Sequence, residues 1–290
     1  MIKHIDCFAG VGGVATGFHA AGIQTILAIE KVKSCVETYS ANHPYVPILN
    51  TDIRTVSINE IQNICISDVD LVTAGMPCET FSTAGKNSRS FYDNRQTLFD
   101  EAIRIADAAN AKVILFENVP GFASKKLIKG EKRLVIDFLR ERLTAAGYSN
   151  QFEIVLNAKD FGVPQSRDRI FILASRDAKH EFLAPISEFK TASVGEAFAN
   201  LPIVDTTGPK QIDKFTNVTN AFCSLMADNK FWNLKGNNLC TYQKSPNHRL
   251  TTIERFKLIN TDEGLKSLFD KLDSTEIERL QNEKILPKKW

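Results

Sequence analysis

The sequence predicts an α/β protein: a mostly parallel β-sheet with helices on both faces, followed by a smaller irregular and helical C-terminal region. Short apolar runs rich in Val, Ile and Phe alternate with longer helical patterns through the first two thirds of the chain. A glycine cluster, Gly10-Val11-Gly12-Gly13, follows the first of these runs at once. After about residue 185 the strand signals give out, and Pro185, Pro202, Gly208, Pro209, Gly236 and Pro246 punctuate short polar stretches. Strands that alternate with helices pair in parallel, because each crossover helix returns the chain to the same edge of the sheet.

In order, HIDCF (4–8), TILAI (25–29), VDLVTA (69–74), KVILFENV (112–119), FEIVLNA (152–158) and RIFILAS (169–175) read as buried strands. Helical candidates lie near 13–21, 32–42, 95–110 and 131–146. From about Leu250 three more helical patterns return, ERFKLI, EGLKSLFDKL and STEIERLQNEKIL, with Ser274-Thr275-Glu276 as a helix start. The change of texture places a boundary near 185–195, giving domains 1–190 and 191–290.

Composition excludes several classes. The 290 residues are 43 % hydrophobic and 24 % charged, ordinary for a globular chain. No apolar run approaches the roughly 18–20 residues that a membrane crossing needs, so no membrane partner is expected. MIKHIDCFAG lacks the pattern of a secretion signal, and a cytoplasmic place in a bacterial-type cell is the simplest expectation. The six cysteines are scattered without a CxxC pair, which argues against a zinc site or a disulfide framework; no metal is expected. A net charge of +2 neither supports nor excludes nucleic acid.

The first strand runs into Phe8-Ala9-Gly10-Val11-Gly12-Gly13. Glycines there let the backbone turn sharply and approach a ligand closely. Glu30 closes the second strand, where a carboxylate reaches ribose hydroxyls. This pattern specifies a nucleoside pocket and no reaction. Gly10-Val11-Gly12-Gly13-Val14-Ala15 also fits the dinucleotide fingerprint, which leaves a nicotinamide-dependent oxidoreductase open.

The strand at 69–74 ends in Gly75-Met76-Pro77-Cys78-Glu79-Thr80, the next in Glu117-Asn118-Val119, and Gln165-Ser166-Arg167-Asp168-Arg169 leads into the last. A thiol, a carboxyl and guanidinium groups beside a nucleoside pocket form a chemical set. A thiolate attacks an electron-poor carbon. A carboxylic acid protonates or hydrogen-bonds a ring nitrogen, and arginine holds a carbonyl oxygen.

In this order the elements resemble the motifs of the DNA cytosine-5 methyltransferases, from residue 3 to about residue 175. Asp6 with FAGVGG resembles the first cofactor motif, Glu30 the second and Asp52-Ile53 the third. GMPCETFSTAG is similar to the catalytic Pro-Cys loop, Asp93 to Leu98 to the helix-start motif, Glu117-Asn118-Val119 to the ENV motif and Gln165 to Arg169 to the QxRxR motif.

The resemblance implies a Rossmann-like S-adenosylmethionine-dependent methyltransferase fold, with S-adenosylmethionine as cofactor, S-adenosylhomocysteine as product and duplex DNA as partner. It further implies Cys78, Glu117, Arg167 and Arg169 as the catalytic set. Phe8, Gly10, Gly12, Gly13, Glu30, Asp52, Ile53, Pro77 and Leu98 would line the cofactor pocket. Ile53 and Leu98 also suit plain core, and Asp52 a helix cap.

Two features depart from the family's pattern. Glu79 stands where Gln is usual, and nothing in 190–290 resembles the late Gly-Asn-Ser-Val-like motif. Residues 191–290 therefore read as the start of a target-recognition region, and the chain as the catalytic subunit of a split enzyme or a truncated one, with a second subunit expected to supply the rest. A transfer-RNA methyltransferase and a non-catalytic nucleic-acid-binding subunit remain as alternatives.

Overall fold

The computed structural model describes residues 1–65, 68–77, 98–126, 133–187, 190–202, 219–227, 248–260 and 263–288. Two compact units emerge: Met1–Ala197 with Asn220–Lys235, and Phe198–Thr219 with Gly236–Trp290.

The first unit is built on a seven-stranded sheet in the order β3-β2-β1-β4-β5-β7-β6. The strands are β1 (Lys3–Cys7), β2 (Gln24–Glu30), β3 (Ile48–Asn50), β4 (Leu71–Ala74), β5 (Val113–Asn118), β6 (Asn150–Asn157) and β7 (Asp168–Ser175). The first five pair in parallel, whereas β7 runs antiparallel to both β5 and β6. Six of these strands coincide with apolar runs in the sequence; β3, only three residues long, carries no pattern of its own. The antiparallel pair has a simple cause. The connection at 158–167 is too short for a crossover, which takes a dozen or more residues.

Helices α1 (Gly13–Ala20), α2 (Lys33–Asn42), α3 (Ile58–Ile64), α4 (Leu98–Ala108), the short α5 (Gly121–Ser124) and α6 (Val135–Ala145) follow. Side chains alternate between the two faces of a strand, and the core divides accordingly. Ile5 and Cys7 of β1, Leu27 and Ile29 of β2, and Ile114 and Phe116 of β5 pack with Ile61, Phe99, Ile105 and Leu139 of α3, α4 and α6. Ala28, between Leu27 and Ile29, packs instead with Ala15 of α1 and Tyr39 of α2. Helices thus lie on both faces. Strand β1 has buried residues on each side, as a central parallel strand must.

The second unit contains helices Leu250–Lys257, Leu265–Lys271 and Ser274–Asn282. Its own small core joins Leu268, Leu280 and Leu286, with Leu258 and Ile259 packed against them. The last helix begins at Ser274 and is capped by Asp273, whose carboxylate accepts from the Glu276 N–H at 2.8 Å. Among the described residues no helix is long and apolar enough to cross a membrane.

Candidate active site

From β1 the chain moves outward through β2 and β3, then returns to β4 on the other side of β1. That reversal opens a crevice at the carboxyl ends of β1 and β4, the place where α/β sheets bind ligands. The glycine turn leaves β1 there, and Gly75-Met76-Pro77 leaves β4.

In the turn, Phe8 has φ 59°, Gly10 φ 55° and Gly12 φ 93°. A non-glycine residue at positive φ is uncommon and concentrates at functional sites. Glu30, at the end of β2, braces the turn. Its Oε2 accepts from the Gly10 N–H at 2.9 Å, and its Oε1 from the Val32 N–H at 2.7 Å. Each oxygen keeps a further lone pair for an incoming hydroxyl. Gly13 opens α1.

Next to Glu30, Asp52 caps the single turn Ile53–Thr55 and binds Arg54 through Nε at 2.9 Å and Nη2 at 2.6 Å. Lys31 Nζ is 3.3 Å from the same carboxylate. These cations, Arg54 first, hold the Asp52 carboxyl well below the usual carboxylate range. Ile53 and Leu98 are buried in the main core, and Pro77 is exposed. Arg104 of α4 fastens the 53–56 segment by donating to the carbonyls of Ile53 at 2.8 Å and Val56 at 2.7 Å. The sequence reading missed Arg104, since an arginine within a helix pattern carries no sign of its partner.

Asp6, which the resemblance places in the first cofactor motif without assigning it to the pocket lining, lies buried under the turn. Its Oδ1 accepts from the Thr73 hydroxyl at 3.1 Å, while Oδ2 is buried without a partner among the described residues. Burial raises its pKa to about 7. A charged residue inside the apolar run HIDCF was the available signal.

Across the crevice, Glu117 is the last residue but one of β5 and Arg169 the second of β7. Arg169 Nε lies 2.7 Å from Glu117 Oε1, with side chains 17 % and 32 % exposed, and Nη1 donates to the Asp168 carbonyl at 2.7 Å. Glu117 stands opposite Phe171 in the antiparallel register, so Arg169 is its diagonal neighbour on the same face. A Cβ on Gly75 would lie 3.9 Å from Glu117 Oε2, so the exit of β4 runs past this carboxyl. Asn118 is buried and accepts the Val119 N–H at 2.9 Å, shaping the turn behind Glu117.

Arg167 is exposed, its backbone N–H donating to Asn157 Oδ1 at 3.2 Å. Cys78 and the loop that follows lie outside the described residues. No group of three or more metal-ligating side chains occurs among the described residues.

Comparison with known proteins decides between the readings. The C-5 cytosine-specific DNA methylase family matches residues 2–285. The chain belongs to that family. Its match runs far past residue 175, where the ordered motifs end, and excludes the oxidoreductase that the glycine turn alone left open.

Among its relatives, the type II methyltransferase M.DdeI of Desulfomicrobium norvegicum is 32 % identical over 90 % of this chain and 62 % of its own length. The type II methyltransferase M1.HphI of Haemophilus parahaemolyticus is 36 % identical over 69 % and 53 %. M.AquIA of Picosynechococcus is 36 % identical over 61 % and 73 %. The chain thus spans somewhat more than half of the first two.

Among solved structures, a candidate DNA modification methyltransferase encoded within an E. coli prophage superposes with a TM-score of 0.69. It is 19 % identical and matches over 91 % of this chain and 77 % of its own. A Spodoptera frugiperda DNMT2 variant gives 0.53 at 23 % identity, over 72 % and 62 %. Both share the Rossmann-like methyltransferase fold.

Proposed function

We propose that this chain is the catalytic part of a DNA cytosine-5 methyltransferase of the type II restriction–modification kind. It acts on a cytosine swung out of duplex DNA, because the reactive ring carbons are unreachable in the stack. The observation that carries the reading is the Glu117–Arg169 pair at the same sheet edge as the glycine turn.

S-adenosylmethionine, when bound, supplies an electrophilic methyl group on a sulfonium. The residues present fit that cofactor. Positive-φ backbone at Phe8, Gly10 and Gly12 lets the chain pass close to a ligand, and Gly13 starts the adjoining helix. Asp6 Oδ2, buried with no partner among the described residues, is an acceptor suited to a cationic amino acid group. Glu30 would hold the ribose, Asp52 and Ile53 the adenine, and Pro77 and Leu98 would close the pocket.

For the base, Cys78 adds to carbon 6 as a thiolate. Glu117 donates a proton or hydrogen bond to ring nitrogen 3, drawing off the charge that builds there. Arg169 holds the ring carbonyl as well as Glu117, while Arg167, on the surface beside it, supports the site and the nearby phosphates. Carbon 5, made nucleophilic, takes the methyl, and loss of its proton expels Cys78.

An oligonucleotide carrying 5-fluorocytosine tests this sequence of steps, because fluorine does not leave as the proton does. A covalent adduct mapping by mass spectrometry to Cys78 is expected, and none with Cys78→Ala. An adduct at another residue, or labelled methyl entering transfer RNA and not duplex DNA, would overturn the reading. Turnover by the purified chain on its own, against turnover in cell extract, tests whether a second polypeptide is needed.

A further inference from the structure

His43 stands at the C-terminal end of α2 and belongs to no motif. Its imidazole reaches back under the glycine turn. Nε2 lies 3.2 Å from the Gly12 carbonyl oxygen and 3.1 Å from the Thr16 hydroxyl, which itself donates to the Gly12 carbonyl at 2.8 Å. The Thr16 backbone N–H donates to the same oxygen at 2.9 Å. A carbonyl only accepts, so Nε2 carries the ring proton, and three donors converge on one oxygen. The ring also packs against buried Tyr39, with centroids 4.8 Å apart. Burial holds His43 below the usual imidazole range, which keeps the ring neutral near pH 7.

The same ring explains why residue 12 is glycine. At φ 93° a side chain is strained, and a Cβ there would meet His43 Cδ2 and Nε2 at 2.7 Å. Gly12 and His43 therefore form one interlocked piece: the glycine leaves the room that the imidazole fills, and the imidazole fixes the carbonyl that the glycine turns inward.

We propose that His43 is a positioning residue that locks the glycine turn in its cofactor-binding conformation. The inference rests on the glycine turn being the cofactor site. Its effect is on affinity for the cofactor and its product, with the reacting atoms untouched. Losing one hydrogen bond of this kind costs a factor of roughly 3–10 in binding.

The test is calorimetric titration of the full chain with S-adenosylhomocysteine, comparing His43→Phe, which keeps a ring but not the donor, with His43→Ala. Both are expected to weaken binding about 3–10-fold, with the cofactor KM rising in proportion and kcat at saturating cofactor within about twofold. Gly12→Ala is expected to be more harmful with His43 present than in the His43→Ala background, since part of its cost is collision with the ring; the rise in KM at unchanged kcat is what a merely structural role for His43 would not give.

Glu30→Ala serves as the separate control for the pocket. If Glu30→Ala loses product binding while both His43 variants bind as the wild type does, the positioning role is wrong and the pocket stands. If Glu30→Ala binds normally, the pocket itself is misplaced and the inference falls with it. Should His43→Ala fail to fold by thermal melt, His43→Phe decides by the same criteria.

Discussion

Beneath the glycine turn, a polar chain crosses three strands. His4 Nδ1 meets the Thr25 hydroxyl at 2.9 Å, His4 Nε2 meets the Thr73 hydroxyl at 2.7 Å, and Thr73 donates to Asp6. All four residues are buried. Burial lowers the pKa of His4 from 6.5 to about 3 and raises that of Asp6 from 3.8 to about 7. The two shifts act oppositely on stability. As pH falls from 6.5 toward 3 the unfolded chain takes up a proton that folded His4 refuses, so this contribution weakens with acid. As pH rises from 3.8 to 7 the unfolded chain releases a proton that folded Asp6 keeps, so this contribution weakens with base. Asp6→Asn removes only the second. Its melting temperature without cofactor, minus that of the wild type, is expected to be larger at pH 8 than at pH 5. A difference flat across that range would mean that Asp6 does not titrate as a buried acid. The apolar run HIDCF made β1 legible, but it hid this network, because a strand's partners for its polar side chains come from other strands.

Of all the elements, β7 matters most to the site. Running antiparallel to β5, it begins at the carboxyl edge, where Arg169 meets Glu117. A parallel β7 would have started at the far edge and left the two apart. Its start is set by the 158–167 turn and by Asn157, whose Oδ1 accepts from the N–H groups of Lys159 at 3.0 Å and Arg167 at 3.2 Å. Asn157 Nδ2 donates to Asp168 Oδ1 at 2.8 Å. Asn157→Ala removes a cap of the kind worth about 0.5–2 kcal/mol. It is expected to lower stability in chemical denaturation by that order and to reduce turnover while cofactor affinity holds; unchanged turnover would detach the turn from the placement of Arg169. The six longer strands were legible because each carries a run of apolar residues, but the expectation that all are buried fails at β6. Its residues are only half-buried or exposed, because it is the edge strand and no further strand among the described residues covers it. The three-residue β3 was not legible, since so short a strand shows no periodicity.

Among the described residues the hydrophobic core falls into three clusters, two on the faces of the sheet and a third joining Leu268, Leu280 and Leu286. Leu280→Ala deletes most of a buried side chain, a change that typically costs about 2–5 kcal/mol. It is expected to speed hydrogen exchange across residues 250–288 and leave the sheet's amides protected; loosening of both together would join the cores into one cooperative unit. By itself, the sequence determined the fold class, most of the strands, the glycine turn with Glu30, and the ordered motifs that mark the family. These are local properties, written in the spacing and chemical type of neighbouring residues. Only the tertiary structure decided that β7 runs antiparallel, that Arg169 thereby faces Glu117, that Asp6 keeps a buried oxygen without a partner among the described residues, and that His43 meets the Gly12 carbonyl. Each of those depends on residues distant in the chain, and a side chain carries no record of the partner that folding will bring to it.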